Sequence, residues 1–196
     1  MFHTMPAFEL VFLALIIQRG VHSKSIHSIA GPYIIYFDRL YACEPIDPTL
    51  PWRHHFRLTR YNPYKPSEAQ LLTGNLTGEL PIDDSCWGKM NVALWANNQW
   101  KDNAFVVGFK DTVCSRYKEN APSLWELFFK GTEEKGKVGC LIKPGFYEYK
   151  NVPARVVFPN VPVGPYGRYK MSVWVGKADK MYYCFVGEFR LVPKLD

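Results

Sequence analysis

The sequence is poor in the groups that carry out catalysis. Of its five histidines, only His27, His54 and His55 lie beyond residue 23. Adjacent positions on a strand send His54 and His55 to opposite faces, so the two cannot share a metal ion. No two cysteines stand as Cys-x-x-Cys, which removes zinc-ribbon and thioredoxin-type chemistry, since both need two thiolates a few residues apart. There is no Gly-x-Ser-x-Gly elbow, His-Glu-x-x-His helix, Walker loop or dinucleotide glycine fingerprint. The carboxylate pairs Asp83-Asp84 and Glu133-Glu134 fall in polar stretches that read as solvated turns, whereas general acid work requires a desolvated or coupled carboxyl group. The expectation is a protein that is not an enzyme and holds no metal or cofactor. Long runs of one charge are missing too. The net charge is +6, but no run of Lys or Arg exceeds two, and the scattered pattern argues against nucleic acid as a partner. A cationic surface of this kind suits anionic lipid head groups or acidic glycans.

What is present first is a short apolar leader. Pro6 to Ile17 is almost continuously apolar, too short to span a bilayer, and Val21-His22-Ser23 places small residues for cleavage before Lys24. This reads as a secretory signal peptide over 1–23, followed by a single domain over 24–196 that is secreted to the extracellular space. Cys43, Cys86, Cys114, Cys140 and Cys184 all lie in the second part, as an oxidising compartment allows. Five is an odd number, so at most two intrachain bridges form, and one thiol stays free or pairs with another chain. Asn75-Leu76-Thr77 is an N-glycosylation acceptor, and Gly74 and Gly78 around it suggest a surface turn.

Beyond the leader, the apolar residues are spread along the chain and the aromatic share is 16%, which argues against disorder. Tyr33 to Tyr41 is rich in β-branched and aromatic residues and reads as a strand. So do His54 to Tyr61, Met90 to Trp95, and Phe105 to Val107 after an Asn97-Asn98 turn. Met171 to Val175 and Tyr182 to Leu191 form a last pair. One stretch breaks the two-residue period: Ser123-Leu124-Trp125-Glu126 has capping-box spacing and predicts a short helix ended by Gly131. Asp111 to Asn120 adds another helical turn or two. The fold class expected is mainly β, an antiparallel β-sandwich or cup with one or two short helices.

Two C-terminal stretches resemble a known family. Cys140-Leu141-Ile142-Lys143-Pro144-Gly145-Phe146-Tyr147 is similar to the Cys-Pro-x-x-x-Gly-x-Tyr element of the ganglioside-activator-like lipid-recognition (ML) proteins, with Leu141 in place of the Pro. Gly167-Arg168-Tyr169 is similar to the entry of their penultimate strand. With Cys114 and the short helix before Cys140, the layout resembles the insect branch, which includes the chemosensory CheB proteins. The resemblance implies a β-cup whose two sheets enclose an apolar cavity, with bridges Cys43–Cys184 and Cys114–Cys140 and no partner for Cys86. It also implies a lipid or hydrocarbon ligand, pheromone-type recognition, a membrane-surface or receptor contact, and a monomer.

Within such a cup, alternation nominates Phe56, Leu58, Met90, Val92, Leu94, Phe105, Val107, Val173, Val175 and Phe185 as the lining. Trp125, Phe128 and Phe129 of the helix, with Val157 and Phe158 of the Pro-broken apolar stretch 156–163, are expected to be exposed together as an entry rim. Two alternatives share part of this pattern. One is an immunoglobulin-like interaction module, in which Tyr182-Tyr183-Cys184 would sit on the penultimate strand and Cys184 would bond Cys114. The other is an activator that presents lipid to a hydrolase.

Overall fold

The computed structural model describes residues 29–130 and 139–194. The signal segment over 1–23, Gly131 and the Glu133-Glu134 pair lie outside the described residues. The described residues form twelve strands and two helices in the order β1 (Ala30–Gly31), β2 (Tyr33–Ala42), β3 (Trp52–Leu58), β4 (Gln70–Gly78), β5 (Ile82–Asp83), β6 (Trp87–Ala96) and β7 (Gln99–Phe109), then α1 (Val113–Asn120) and α2 (Pro122–Phe129), then β8 (Leu141–Ile142), β9 (Gly145–Ala154), β10 (Gly164–Pro165), β11 (Gly167–Lys177) and β12 (Lys180–Pro193). It is mainly β, with antiparallel sheets and two short helices.

The five-stranded sheet runs β2-β12-β11-β6-β7 and the three-stranded sheet β3-β4-β9. Its hairpins follow from local chemistry. Ala96 pairs with Gln99, leaving Asn97 and Asn98 as a two-residue loop, and both take positive φ (52° and 58°). That backbone matches the right-handed twist of the flanking strands, and Asn tolerates it. The β11–β12 turn is also a two-residue loop, with Lys177 opposite Lys180, but of Ala178 and Asp179 only Ala178 takes positive φ (52°).

Three devices stabilise this arrangement. The first is burial: Trp52, Leu72 and Leu76 of the small sheet pack with Trp125, Phe129, Ile142, Tyr149 and Val175 in one core. At roughly 1.5–3 kcal/mol for each large apolar side chain removed from water, this is the main stabilising contribution. The second is Gln70, a buried amide whose Oε1 accepts from Phe37 N–H at 2.7 Å while its Nε2 donates to the carbonyls of Phe37 and Thr59. It satisfies β2 beside the bulge that β2 makes against β12. The third is covalent. Cys43 is bonded to Cys184 and Cys114 to Cys140, and Cys86 is free and buried. These are the two pairs that the resemblance implies. The bond from Cys114 to Cys184 that an immunoglobulin-like module needs is not formed.

Several expectations are corrected. The segment around Asn75 is no turn: Asn75 lies in β4, the central strand of the small sheet, opposite His55 and Glu148. Gly74 is there because its φ is +136° and a Cβ would lie 1.8 Å from the carbonyl oxygen of His55. Gly78 lies beneath the Trp52 ring, 2.4 Å from where a Cβ would be. The capping box does not form either. Ala121 is the N-cap of α2 with Pro122 as its first helical residue, and Ser123 instead clips the helix to the loop after β9, donating to Val157 C=O at 3.0 Å and accepting from Val157 N–H at 2.9 Å.

Candidate ligand-binding face

The strand register places the expected lining on one surface. Met90 lies opposite Val107 and Val173, Val92 opposite Phe105 and Met171, and Leu94 opposite Tyr169. Across the next seam Val173 faces Phe185, Val175 faces Tyr183, and Tyr169 faces Phe189. Directly opposed residues share a face, so eight of the ten expected lining residues form one apolar surface on the five-stranded sheet. It is the surface turned toward the small sheet, because the Tyr183 and Phe185 rings each lie 5.6 Å from that of His54 on β3. Phe56 and Leu58 answer from β3, both partly buried against the core.

Most of this surface is only half covered. Val175 belongs to the buried core, whereas Met90, Val92, Leu94, Val107, Val173 and Phe185 are intermediate, and Phe105 on the edge strand β7 is 56% exposed. Phe105 thus stands clear of the interior that alternation assigned it. Among the described residues, three strands and two short helices stand against five strands. The opposite face of the large sheet is polar. There Arg168 sits over the Trp95 and Trp100 rings (5.4 and 5.2 Å) and pairs with Glu188 at 2.5 Å. Glu188 also receives Arg39 at 2.5 Å and the Tyr41 hydroxyl at 3.2 Å.

A continuous chain of rings links the helices to the apolar surface. Tyr117 packs edge-on to Trp125, Trp125 meets Phe129, Phe128 meets Tyr149 and Phe56, and Phe56 stacks on His54. Four polar side chains stand within it. The Tyr149 hydroxyl donates to Phe128 C=O at 3.1 Å, and Tyr183 Oη lies 3.1 Å from His54 Nδ1. Burial pushes the Tyr117, Tyr149 and Tyr183 phenols far above their ordinary value, so all three are neutral. Burial, with the neighbouring His55, depresses His54 to about 4. Tyr117 and Tyr183 keep some accessible surface. Sequence reasoning assigned none of these four to the ligand site. Tyr183 and Met171 share the parity of Phe185 and Val173 and could have been found from it; Tyr117 and Tyr149 carry no such signal.

The expected rim is only partly where it was placed. Trp125 and Phe129 are 5% and 6% exposed; spaced four apart, they share the helix face that meets the core. Phe128 is partly buried against the rings of Phe56 and Tyr149. Val157 is exposed, as are Val161 and Val163, and Phe158 is half-buried. The loop is therefore the accessible apolar feature, tied through Ser123 to a helix whose own aromatics point inward. A cleft of about 760 Å³ opens elsewhere, lined by β2 and β3 and also by Trp100 of β7, Lys170 of β11 and Glu188 of β12. Phe56 and Leu58 of the expected lining reach it, with Leu40, Arg39, Glu44 and Arg57, while the other eight do not.

These features define a disulfide-stapled antiparallel β-sandwich with a half-covered apolar inner face. No protein-family model matches the chain, and no curated protein matches it by sequence.

Proposed function

We propose that the protein is an exported, non-catalytic carrier that binds a lipid or other apolar small molecule between its two sheets. The observation that carries this reading is the register-aligned surface of Met90, Val92, Leu94, Val107, Val173 and Phe185, which faces the small sheet and is left half-covered. Side chains of these types are more often fully buried in a sandwich core. A ligand tail laid on this surface would gain about 0.8 kcal/mol per buried methylene, so a twelve-carbon chain supplies about 10 kcal/mol before ordering costs. Micromolar affinity requires only about 8. The two disulfides and the absence, among the described residues, of a helix long and apolar enough to cross a membrane support export. The resemblance to the lipid-recognition proteins supports the ligand class and suggests chemosensory carriage.

Saturable uptake of a fluorescent fatty-acid probe at about one per chain tests the reading, with Leu94→Lys expected to weaken uptake at least tenfold while circular dichroism reports an intact fold. Unchanged uptake in that variant would remove the inner face as the site. The exposed valines at 157, 161 and 163, together with the net charge of +6, favour one second reading, a lipid-presenting activator that docks on anionic membranes. Its mark is vesicle binding that weakens as salt rises.

A further inference from the structure

We propose that the cleft lined by β2 and β3 holds the anionic head group, a carboxylate or a phosphate, of an amphiphile whose tail passes round the edge strand β2 to the inner face. This rests on the carrier reading and adds to it the charge of the ligand and the place of its head.

The cleft, of about 760 Å³, takes side chains from both faces of β2. Leu40 belongs to the inner face: it lies opposite Gly187, Gly187 opposite Met171, and Met171 opposite Val92. Its sequence neighbours Arg39 and Tyr41 point the other way. Arg39 stands in the cross-strand row Arg39, Glu188, Lys170 on the polar outer face. Since β2 is the edge of the five-stranded sheet, one hollow that touches Arg39, Leu40 and Tyr41 wraps round that edge. Its apolar part is Leu40, Phe56 and Leu58, all packed against the core. The Phe56 ring meets those of Phe128 and Tyr149 at 5.4 and 5.7 Å, so this part of the cleft opens on the aromatic chain that leads inward.

Charge decides the head group. Three carboxylates (Asp38, Glu44, Glu188) and three cations (Arg39, Arg57, Lys170) line the cleft, but two of the carboxylates are already engaged. Glu188 Oε1 accepts from Arg39 and Tyr41, and its Oε2 from Arg168. Asp38 Oδ2 pairs with Arg190 at 3.1 Å and Arg168 at 3.5 Å. Arg168 and Arg190 are not part of the lining, and they bring the local balance to five cations against three carboxylates. Among the described residues neither Arg57 nor Lys170 has a carboxylate within ion-pair distance. The Lys170 ammonium lies over the Trp100 ring at 5.1 Å, and Arg57 is exposed. Glu44 is exposed beyond the end of β2, where water solvates it. An anion in this cleft gains charge-assisted hydrogen bonds from Lys170 and Arg57 that a neutral head group of the same size does not.

The test uses the secreted full chain and a neutral fluorescent naphthylamine probe, displaced at pH 7.5 by three competitors of equal chain length: hexadecanoate, hexadecyl phosphate and hexadecanol. At least one anion is expected to bind about tenfold or more tighter than the alcohol, and the one that leads identifies the head group. That lead should shrink as NaCl rises from about 0.05 to about 0.5 M. Lys170→Gln combined with Arg57→Gln should bring the leading anion to within about threefold of the alcohol, with circular dichroism as the folding control. The salt series needs no variant, so it decides even where the substitutions unfold the chain. If the alcohol binds as tightly as both anions, if the lead does not respond to salt, or if the folded double variant keeps it, the inference is overturned and the carrier reading stands. If no competitor displaces the probe and the probe itself does not saturate, both fall.

Discussion

His54 gives the protein a built-in sensitivity to mild acid. The side chain sits between the sheets, ring-packed against Phe56, Tyr183 and Phe185, and its midpoint is depressed from 6.5 to about 4 by burial first and by His55 second. The unfolded chain therefore takes up a proton near pH 6.5 that the folded chain refuses until about pH 4. In that window the unfolded state binds more protons, so stability rises with pH and is lost as pH falls from about 6.5 toward 4. At 1.36 kcal/mol per tenfold in proton affinity, the full depression is worth about 3 kcal/mol, of which about 2 is lost between pH 7 and pH 5. The carboxylates held low by their partners, such as Asp83 by Ser85, lose their contribution only at lower pH, so a comparison stopped at pH 5 isolates the histidine. Urea unfolding at pH 7, 6 and 5 measures the slope. His54→Phe keeps the ring contacts and should flatten it to within about 0.5 kcal/mol. A wild-type stability that is level from pH 7 to pH 5, or the same slope in the variant, would refute the reasoning.

The two disulfides should differ in worth. With separations of 141 and 26 residues, the chain-entropy relation assigns about 5 kcal/mol to Cys43–Cys184 and about 3 to 4 to Cys114–Cys140, so paired Cys→Ser variants should lower Tm more for the outer bridge. Glu188 is 2% exposed; burial works against its charge, but the hydrogen bonds of Arg168 and Arg39 prevail and hold it below the usual carboxylate value. Glu188→Gln should destabilise by about 2 kcal/mol in urea titration, a figure kept modest because Arg39 is largely exposed and solvated. Leu72 has no exposed surface; Leu72→Ala should cost about 3 kcal/mol by the same assay.

Legibility in the sequence followed the strength of the alternation. The strands β6 and β11 carry apolar or aromatic residues at every second position, as β12 does apart from Gly187, and these can be read directly. In β4, glycines occupy two of the inward positions, Gly74 and Gly78, because backbone and the Trp52 ring fill the space where side chains would go, and the strand looks like a turn. In β9 the period itself breaks. Tyr149 faces Gly74 while Val152 faces Leu72, so an extra residue is accommodated near Asn151, at φ 53°, and the inward parity changes from odd to even. The apolar face was legible because β6 alternates from Met90 to Leu94 and β11 from Tyr169 to Val175. The buried phenols and imidazole were not: Tyr117, Tyr149, Tyr183 and His54 lie far apart in sequence on four elements. The helix aromatics were misplaced for a simpler reason, since Trp125, Phe128 and Phe129 outnumber the positions of one exposed face but fit a helix buried against a sheet.

The central claim is that the inner face holds a ligand, and native mass spectrometry of the protein secreted from eukaryotic cells addresses it most directly. The account predicts an adduct of one apolar molecule per chain that is released by organic solvent and restored by adding lipid or hydrocarbon. Folded protein that leaves the cell with nothing bound, and that takes up no apolar molecule saturably, would contradict it.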